Sequence, residues 1–259
     1  MPPLRPLVHA LRSAVAAGVA ASVPLAGLAS LPLRAATPTP QQLQALEAAL
    51  NSDADGALAG VLEEGPGFDP SVMESRRRLL KEAFPNARWW LRPGSSDEQG
   101  PSTVMLQVTG SRQDGPTTYR LESFQELTLS SNGQRINGQN VLREQSILRS
   151  GDEPLPVSLL IPDQVLTGQR YDVDVIFDDP LDGALAAGGI LALTPQQIDT
   201  MQSPSMELGA LGGGGLFKTV QAPFQPGTQT WAVLLVHPKG IVSATKRVRV
   251  VAGSASRQP

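Results

Sequence analysis

"TTYRLESFQELTLS", residues 117–130, decides the kind of domain that surrounds it. Tyr119, Leu121, Ser123, Gln125, Leu127 and Leu129 share one parity, while Arg120, Glu122, Phe124 and Glu126 share the other. Successive residues of a strand point to opposite faces, so this alternation predicts a long strand with one buried and one wet face. Its neighbours extend the pattern. "WWL" at 89–91, "TVMLQVTG" at 103–110 and "RINGQNVLREQSILRSG" at 135–151 have strand character, and "SSNGQ" between the last two strands is a hairpin signal.

Upstream the period changes to that of a helix. Thr39 is a suitable N-cap, Pro40 suits the first helical position, and Gln42 completes a capping box ahead of Leu43, Leu46 and Leu50. The apolar face is expected to continue through Ala54, Leu58 and Val61. A second helix is expected from Asp69-Pro70, turning Val72, Met73, Leu79, Leu80 and Ala83 inward and stopping before Pro85. The basic run at 76–78, with Lys81, shares that helix with Glu74 and Glu82 and reads as a solvated face, not a nucleic-acid surface.

Beyond Glu153 the chain is punctuated by Pro and Gly. Strands are expected near 156–162, 170–177, 188–194, 215–222, 228–237 and 241–251, with a helical turn at "TPQQIDTM", 194–201. "SGDEP" at 150–154 is the expected junction between a domain at 37–151 and a β-sandwich at 152–252, with residues 253–259 as a disordered tail.

Residues 1–36 carry Arg5, His9 and Arg12 ahead of an apolar run of small residues without an acid, the pattern of a secretory signal peptide. Cleavage sites fit after Ala29, Ala35 or Ala36. Cysteine is absent, which excludes disulfides and thiolate chemistry and suits export to a bacterial periplasm or beyond. Removal of the leader takes away three arginines and no acid, leaving 18 basic against 24 acidic residues, about −6. That balance argues against nucleic acid or an anionic membrane as partner.

Helices leading into the long hairpin of residues 103–151 resemble the NTF2-like, cone-shaped α+β domains, a group that includes ketosteroid isomerases and SnoaL-like proteins. The second half resembles an immunoglobulin-like sandwich. The first resemblance implies a cavity inside the cone and, in its enzymes, a carboxylate base facing an oxyanion donor. On the inward parity the polar members Tyr119, Ser123 and Gln125 are neutral, and Glu122 and Glu126 point away. A pocket lined by Trp89 or Trp90, with Trp90 taken as the candidate, and by Tyr119, Ser123 and Gln125 is therefore expected to bind and not to transform, the alternative being that these residues only fill the core. Glu144, on the parity of Leu142 and Leu148, stays open between an ion pair with Arg143 or Arg149 and the missing base.

Other candidates are weaker. In "YDVDVIFDDPLDG", 171–183, the acids Asp172 and Asp174 share the wet parity of a strand, and with Asp179 they are the candidate ligands for calcium, which needs six to eight oxygens. His237 sits in the tight turn "HPKG", with a structural role expected. "GALGGGGLFKT", 209–219, lacks the glycine and helix of a phosphate loop and reads as an interstrand loop. The expectation is a non-catalytic binding or assembly module of the bacterial envelope that uses no cofactor. Its partner would be another envelope protein or a second copy, met through Arg120, Glu122, Phe124 and Glu126. The alternatives are a small-molecule isomerase or lyase and a calcium-stabilised adhesion module.

Overall fold

Ile147 and Leu148 are neighbours on one strand, point to opposite faces, and are both buried. Each therefore belongs to a different core, and the strand that carries them joins the two halves of the protein. The computed structural model describes residues 36–94, 102–151, 155–179, 183–211 and 213–253. The expected leader, apart from Ala36, and the expected tail, apart from Gly253, lie outside the described residues.

The strands in chain order are β1 (Arg88–Pro93), β2 (Val104–Asp114), β3 (Thr117–Ser131), β4 (Ile136–Ser150), β5 (Val157–Leu160), β6 (Gln164–Leu166), β7 (Arg170–Phe177), β8 (Ala187–Leu193), β9 (Gly209–Ala210), β10 (Gly215–Gln221), β11 (Gly227–His237) and β12 (Gly240–Val251). The helices are α1 (Pro40–Asn51), α2 (Pro70–Ala83) and the short α3 (Pro195–Asp199). One sheet runs β1-β2-β3-β4-β12-β11-β8-β9, with β6 added parallel to β12, and a second runs β10-β7-β5.

The NTF2-like α+β expectation for residues 37–151 is overturned. Of the described residues 51% are strand and 17% helix, mostly in antiparallel sheet, which does not match an α+β cone. The physical reason lies at the far edge of β4. Residues 145–149 pair with β12, Gln145 with Lys246 through Arg149 with Val242, so the hairpin's free edge is completed by the second half of the chain. Alternation along 135–151 predicts a strand but carries no information about which strand, a hundred residues away, will satisfy its outer hydrogen bonds.

One face of the large sheet is covered by the N-terminal helices. Leu46 and Leu50 of α1, Leu58 and Leu62 of the following turn, and Leu80 of α2 pack with Trp89, Val108, Tyr119, Leu121 and Leu148. The expected caps form: Thr39 and Gln42 make the reciprocal box, and Asp69 accepts from Ser71 N. The first helix ends at Asn51, before Ala54, and Leu58 enters the core from a 3-10 turn instead. That end has a use. Asn51 Nδ2 donates to Trp89 O at 2.8 Å, its Oδ1 accepts from Trp89 N at 3.1 Å, and Glu47 Oε2 accepts from Leu91 N at 2.6 Å. These side chains occupy hydrogen-bonding groups on the outer edge of β1, which would otherwise invite pairing with another chain.

The opposite face of β12 and β11 packs against the small sheet. Val173, Val175, Trp231, Val233, Leu235, Val242 and Val248 fill the space between the two sheets, and Ile147 of β4 joins them. The alternation at 170–177 is therefore as expected, with Tyr171, Val173, Val175 and Phe177 buried. Strand β6, and β9 at the start of the segment expected to be loop, have no such pattern and are seen only in the structure. Gly151 locks the two halves together: at φ +110° it lets Lys239 O approach to 2.4 Å of where a Cβ would stand. No helix among the described residues is long and apolar enough to cross a membrane.

The basic run of α2 departs from the expected solvated face. Arg78 is exposed, but Arg77 is 4% exposed and Arg76 half-buried. Arg77 turns back onto the segment that follows α1, where it donates to the carbonyls of the C-cap Ser52 and of Ala54.

Candidate functional site

Across the helix-side face of the large sheet, register builds two rows of polar side chains. Antiparallel pairing sets Leu106 opposite Gln125, Gln125 opposite Glu144, and Thr230 opposite both Arg247 and Leu193. One rung past Lys246–Gln145, Arg247 meets Glu144 directly, its Nη1 3.4 Å from Oε2. The resulting row reads Leu106, Gln125, Glu144, Arg247, Thr230, Leu193. The row beside it carries Ser123, Ser146 and Thr245, with the Ser123 and Ser146 hydroxyls 2.8 Å apart.

This polar stripe is interior. Glu144 is 4% exposed, Arg247 6% and Thr230 3%. Gln125 Nε2 donates to Glu144 Oε1 at 3.2 Å, and Arg247 Nη2 donates to Thr228 Oγ1 at 3.3 Å. These bonds, like the 3.4 Å ion pair between Arg247 and Glu144, are long for a buried site, and they leave donors over. Arg247 Nε and Thr230 Oγ1 are buried and meet no hydrogen-bond partner among the described residues. A buried polar group without a partner costs about 1–3 kcal/mol, so an orphaned donor in a native interior calls for an explanation.

Burial pushes the Glu144 carboxyl up to about 7, against the charges of Arg247 and Arg76 and the Gln125 hydrogen bond, which pull it down. Arg76 of α2 is held below its usual range by burial, partly offset by Glu144 and by Asp199 of α3. Arg247 thus pairs with, and the charge of Arg76 also acts on, one buried carboxyl that is close to half-protonated at neutral pH. Such a carboxyl can accept or release a proton at little cost, the property a general base requires.

Of the residues expected to line a pocket, Ser123 and Gln125 lie in the stripe. Tyr119 faces the same side farther along β3, beneath the Arg112 guanidinium at 5.1 Å. Trp90 does not join them, because it pairs with Gln107, which pairs with Phe124 on the opposite face. Arg120, Glu122, Phe124 and Glu126 share that opposite face, where their charges are met within the chain. Arg120 Nη1 donates to Gly151 O at 2.8 Å, Glu122 pairs with Arg149 at 2.9 Å, and Glu126 pairs with Arg143 at 3.4 Å. Arg143 also reaches Asp163 at 3.1 Å, and Asp163 in turn pairs with Lys246. Glu144 therefore takes neither Arg143 nor Arg149 as its partner but Arg247.

Asp172 and Asp179 are exposed and Asp174 is half-buried. Asp172 accepts from Thr219 Oγ1 at 2.7 Å, and Asp174 pairs across the small sheet with Phe217 and Leu160. No group of three or more His, Cys, Asp or Glu suited to a metal occurs among the described residues. Calcium is accordingly expected to leave the melting temperature unchanged, and Asp172→Asn with Asp174→Asn to make no difference to that result. A calcium-dependent rise in Tm, lost in the double variant, would restore the adhesion alternative. His237 closes the β11–β12 hairpin, accepting from Lys239 N at 3.2 Å with its ring 5.7 Å from that of Phe177.

Residues 152–251 match the model of a family described as a domain of unknown function (DUF8623). No curated protein matches the chain. The match supplies Thr230 and Arg247 but stops short of Gln125 and Glu144, so the stripe is completed by residues outside the matched region. Sequence reasoning missed Arg247, Thr230, Thr245 and Arg76. A signal existed for two of them: Thr245, Arg247 and Arg249 share one parity of a strand whose other parity, Val242, Ala244, Val248 and Val250, is apolar except at Lys246.

Proposed function

We propose that the protein is an exported, non-catalytic binding module of the bacterial envelope, and that the buried polar stripe is its ligand site. The observation that carries this reading is the orphaned pair of donors, Arg247 Nε and Thr230 Oγ1, beside a loosely bonded Glu144. Export rests on the leader-like residues 1–36 and the absence of cysteine. The bridge between Ala36 and Ser131 favours cleavage ahead of Ala36. The immunoglobulin-like reading of residues 152–252 is supported by the two sheets enclosing one apolar core. A protein partner or a second copy at Phe124 has less support, since the flanking charges already have partners.

A second reading, an isomerase or lyase with Glu144 as base, is favoured by the near-neutral Glu144 carboxyl. One experiment separates the two. Small molecules that raise the melting temperature are incubated with the purified protein and followed by NMR. Binding without chemical change, in both the native protein and Glu144→Gln, is the expected result. Conversion of a ligand that disappears in Glu144→Gln would replace binding by catalysis.

A further inference from the structure

We propose that the stripe takes a small monocarboxylate with a short apolar tail, its oxygens accepting from Arg247 Nε and Thr230 Oγ1. This rests on the stripe being a ligand site, and it adds the chemical class of the ligand. Three observations select that class.

The first is the polarity of what is missing. An arginine Nε–H is a donor and never an acceptor, so the partner it lacks must be an acceptor. The Thr230 hydroxyl, a donor in one of its orientations, is also without a partner. Thr230 and Arg247 face each other in register across β11 and β12, which places their Cα atoms roughly 4.5–5.5 Å apart. Two donors on adjacent strands suit the two oxygens of one carboxylate.

The second is charge. Arg247 faces the stripe from β12 against Glu144 from β4, the charge of Arg76 on α2 also acts on Glu144, and the exposed Asp199 of α3 acts on Arg76. With Glu144 close to half-protonated near neutral pH, the interior holds a positive surplus. An anion relieves it. Arg247 meets Glu144 through Nη1 and Thr228 through Nη2, which leaves Nε for the ligand.

The third is the neighbour. Next to Thr230 in the row stands Leu193, which with Ala232 forms a separate small apolar cluster, completed by the partly buried Leu191, Ile198 and Met206. A head held at Arg247 and Thr230 therefore lies beside an apolar wall. That wall suits a few methylene groups and not a second charge.

The test is titration of the purified protein with ethanoate, butanoate and hexanoate, and with hexanamide as the uncharged control, by calorimetry and thermal shift at pH 6. Affinity is expected to rise with chain length by about fourfold per methylene buried, and hexanamide to have no effect. Thr230→Val keeps the shape and removes a hydroxyl that is unpaired in the free protein, so the variant should fold at least as well. Its affinity for hexanoate should fall about tenfold. Equal binding of amide and carboxylate, or unchanged affinity in Thr230→Val, would overturn the proposal. If carboxylates fail while inorganic phosphate or a neutral polyol stabilises the native protein and not Thr230→Val, the ligand class is wrong and the stripe is still a binding site. If none of these probes binds, both readings fall.

Discussion

Arg247→Met is expected to cost about 3 kcal/mol of stability at pH 9 and far less at pH 5. In the native protein the Glu144 carboxyl titrates at about 7, above its ordinary value of 4.5, so the folded state keeps the proton longer than the unfolded chain does. The native protein therefore loses stability as pH rises from about 4.5 through about 7, by about 3 kcal/mol in all at about 1.4 kcal/mol per unit. Above that window Glu144 is ionised and Arg247 is its buried counter-charge. Without Arg247 the carboxyl holds its proton to still higher pH, so the decline continues past 7 and adds about 3 kcal/mol by pH 9. At pH 5 Glu144 is already neutral, and what is removed is a buried cation that lacked an ionised partner. For a chain of this size the loss at pH 9 corresponds to a fall in Tm of roughly 10 °C. Urea melts at the two pH values measure it. In Arg247→Met combined with Glu144→Gln the pH dependence above 7 should vanish. A loss of the same size at pH 5 and pH 9 would mean that Arg247 serves by packing alone, not by charge.

How much of this was legible in the sequence follows from the range of the interaction involved. The caps at Thr39 and Asp69, the hairpin at 130–134 and the alternation at 170–177 are local, and the structure contains them all. The parity of β3 correctly set Ser123 and Gln125 on the inner face and Glu122 on the outer. What could not be read is pairing. Whether Glu144 meets Arg143, Arg149 or Arg247 depends on which strand lies beside β4, and the sequence places Arg247 103 residues away. Trp90 was misplaced for a smaller reason. Two adjacent tryptophans occupy both parities, and only the packing of α1 on β1 shows that Trp89 takes the core and Trp90 the other face. The NTF2-like expectation failed on the same ground: helices followed by a long hairpin are common to several architectures, and the choice among them is made at the edge of β4.

The three arginines of α2 should differ widely in what they contribute, although in sequence they are one basic run. Arg77→Met is expected to destabilise by about 3 kcal/mol, while Arg78→Ala stays within roughly 0.5 kcal/mol because Arg78 is exposed. Arg77 donates from Nη1 to Ser52 O at 2.5 Å and from Nη2 to Ala54 O at 2.8 Å, and its Nη2 and Nε both reach Glu74. The two carbonyls follow the last turn of α1, where a cation is favoured. Methionine keeps the bulk of the stem and removes every donor, so Ala54 O loses its donor and Glu74 its charge partner. The loss is limited on two sides. Lys81 Nζ still reaches Ser52 O at 2.6 Å and Asn51 O at 3.1 Å, and Glu74 keeps Gly56 N at 3.2 Å and is exposed enough to recover water. Arg77→Lys should recover only part of the loss, since one ammonium lacks the fork that spans both carbonyls and Glu74. Combining Arg77→Met with Lys81→Met should cost more than the two single changes together, because Ser52 O then has neither donor. Chemical denaturation of the single and double variants measures these differences, and similar small losses for Arg77→Met and Arg78→Ala would mean that Arg77 lies in solvent, as the basic run in the sequence suggests.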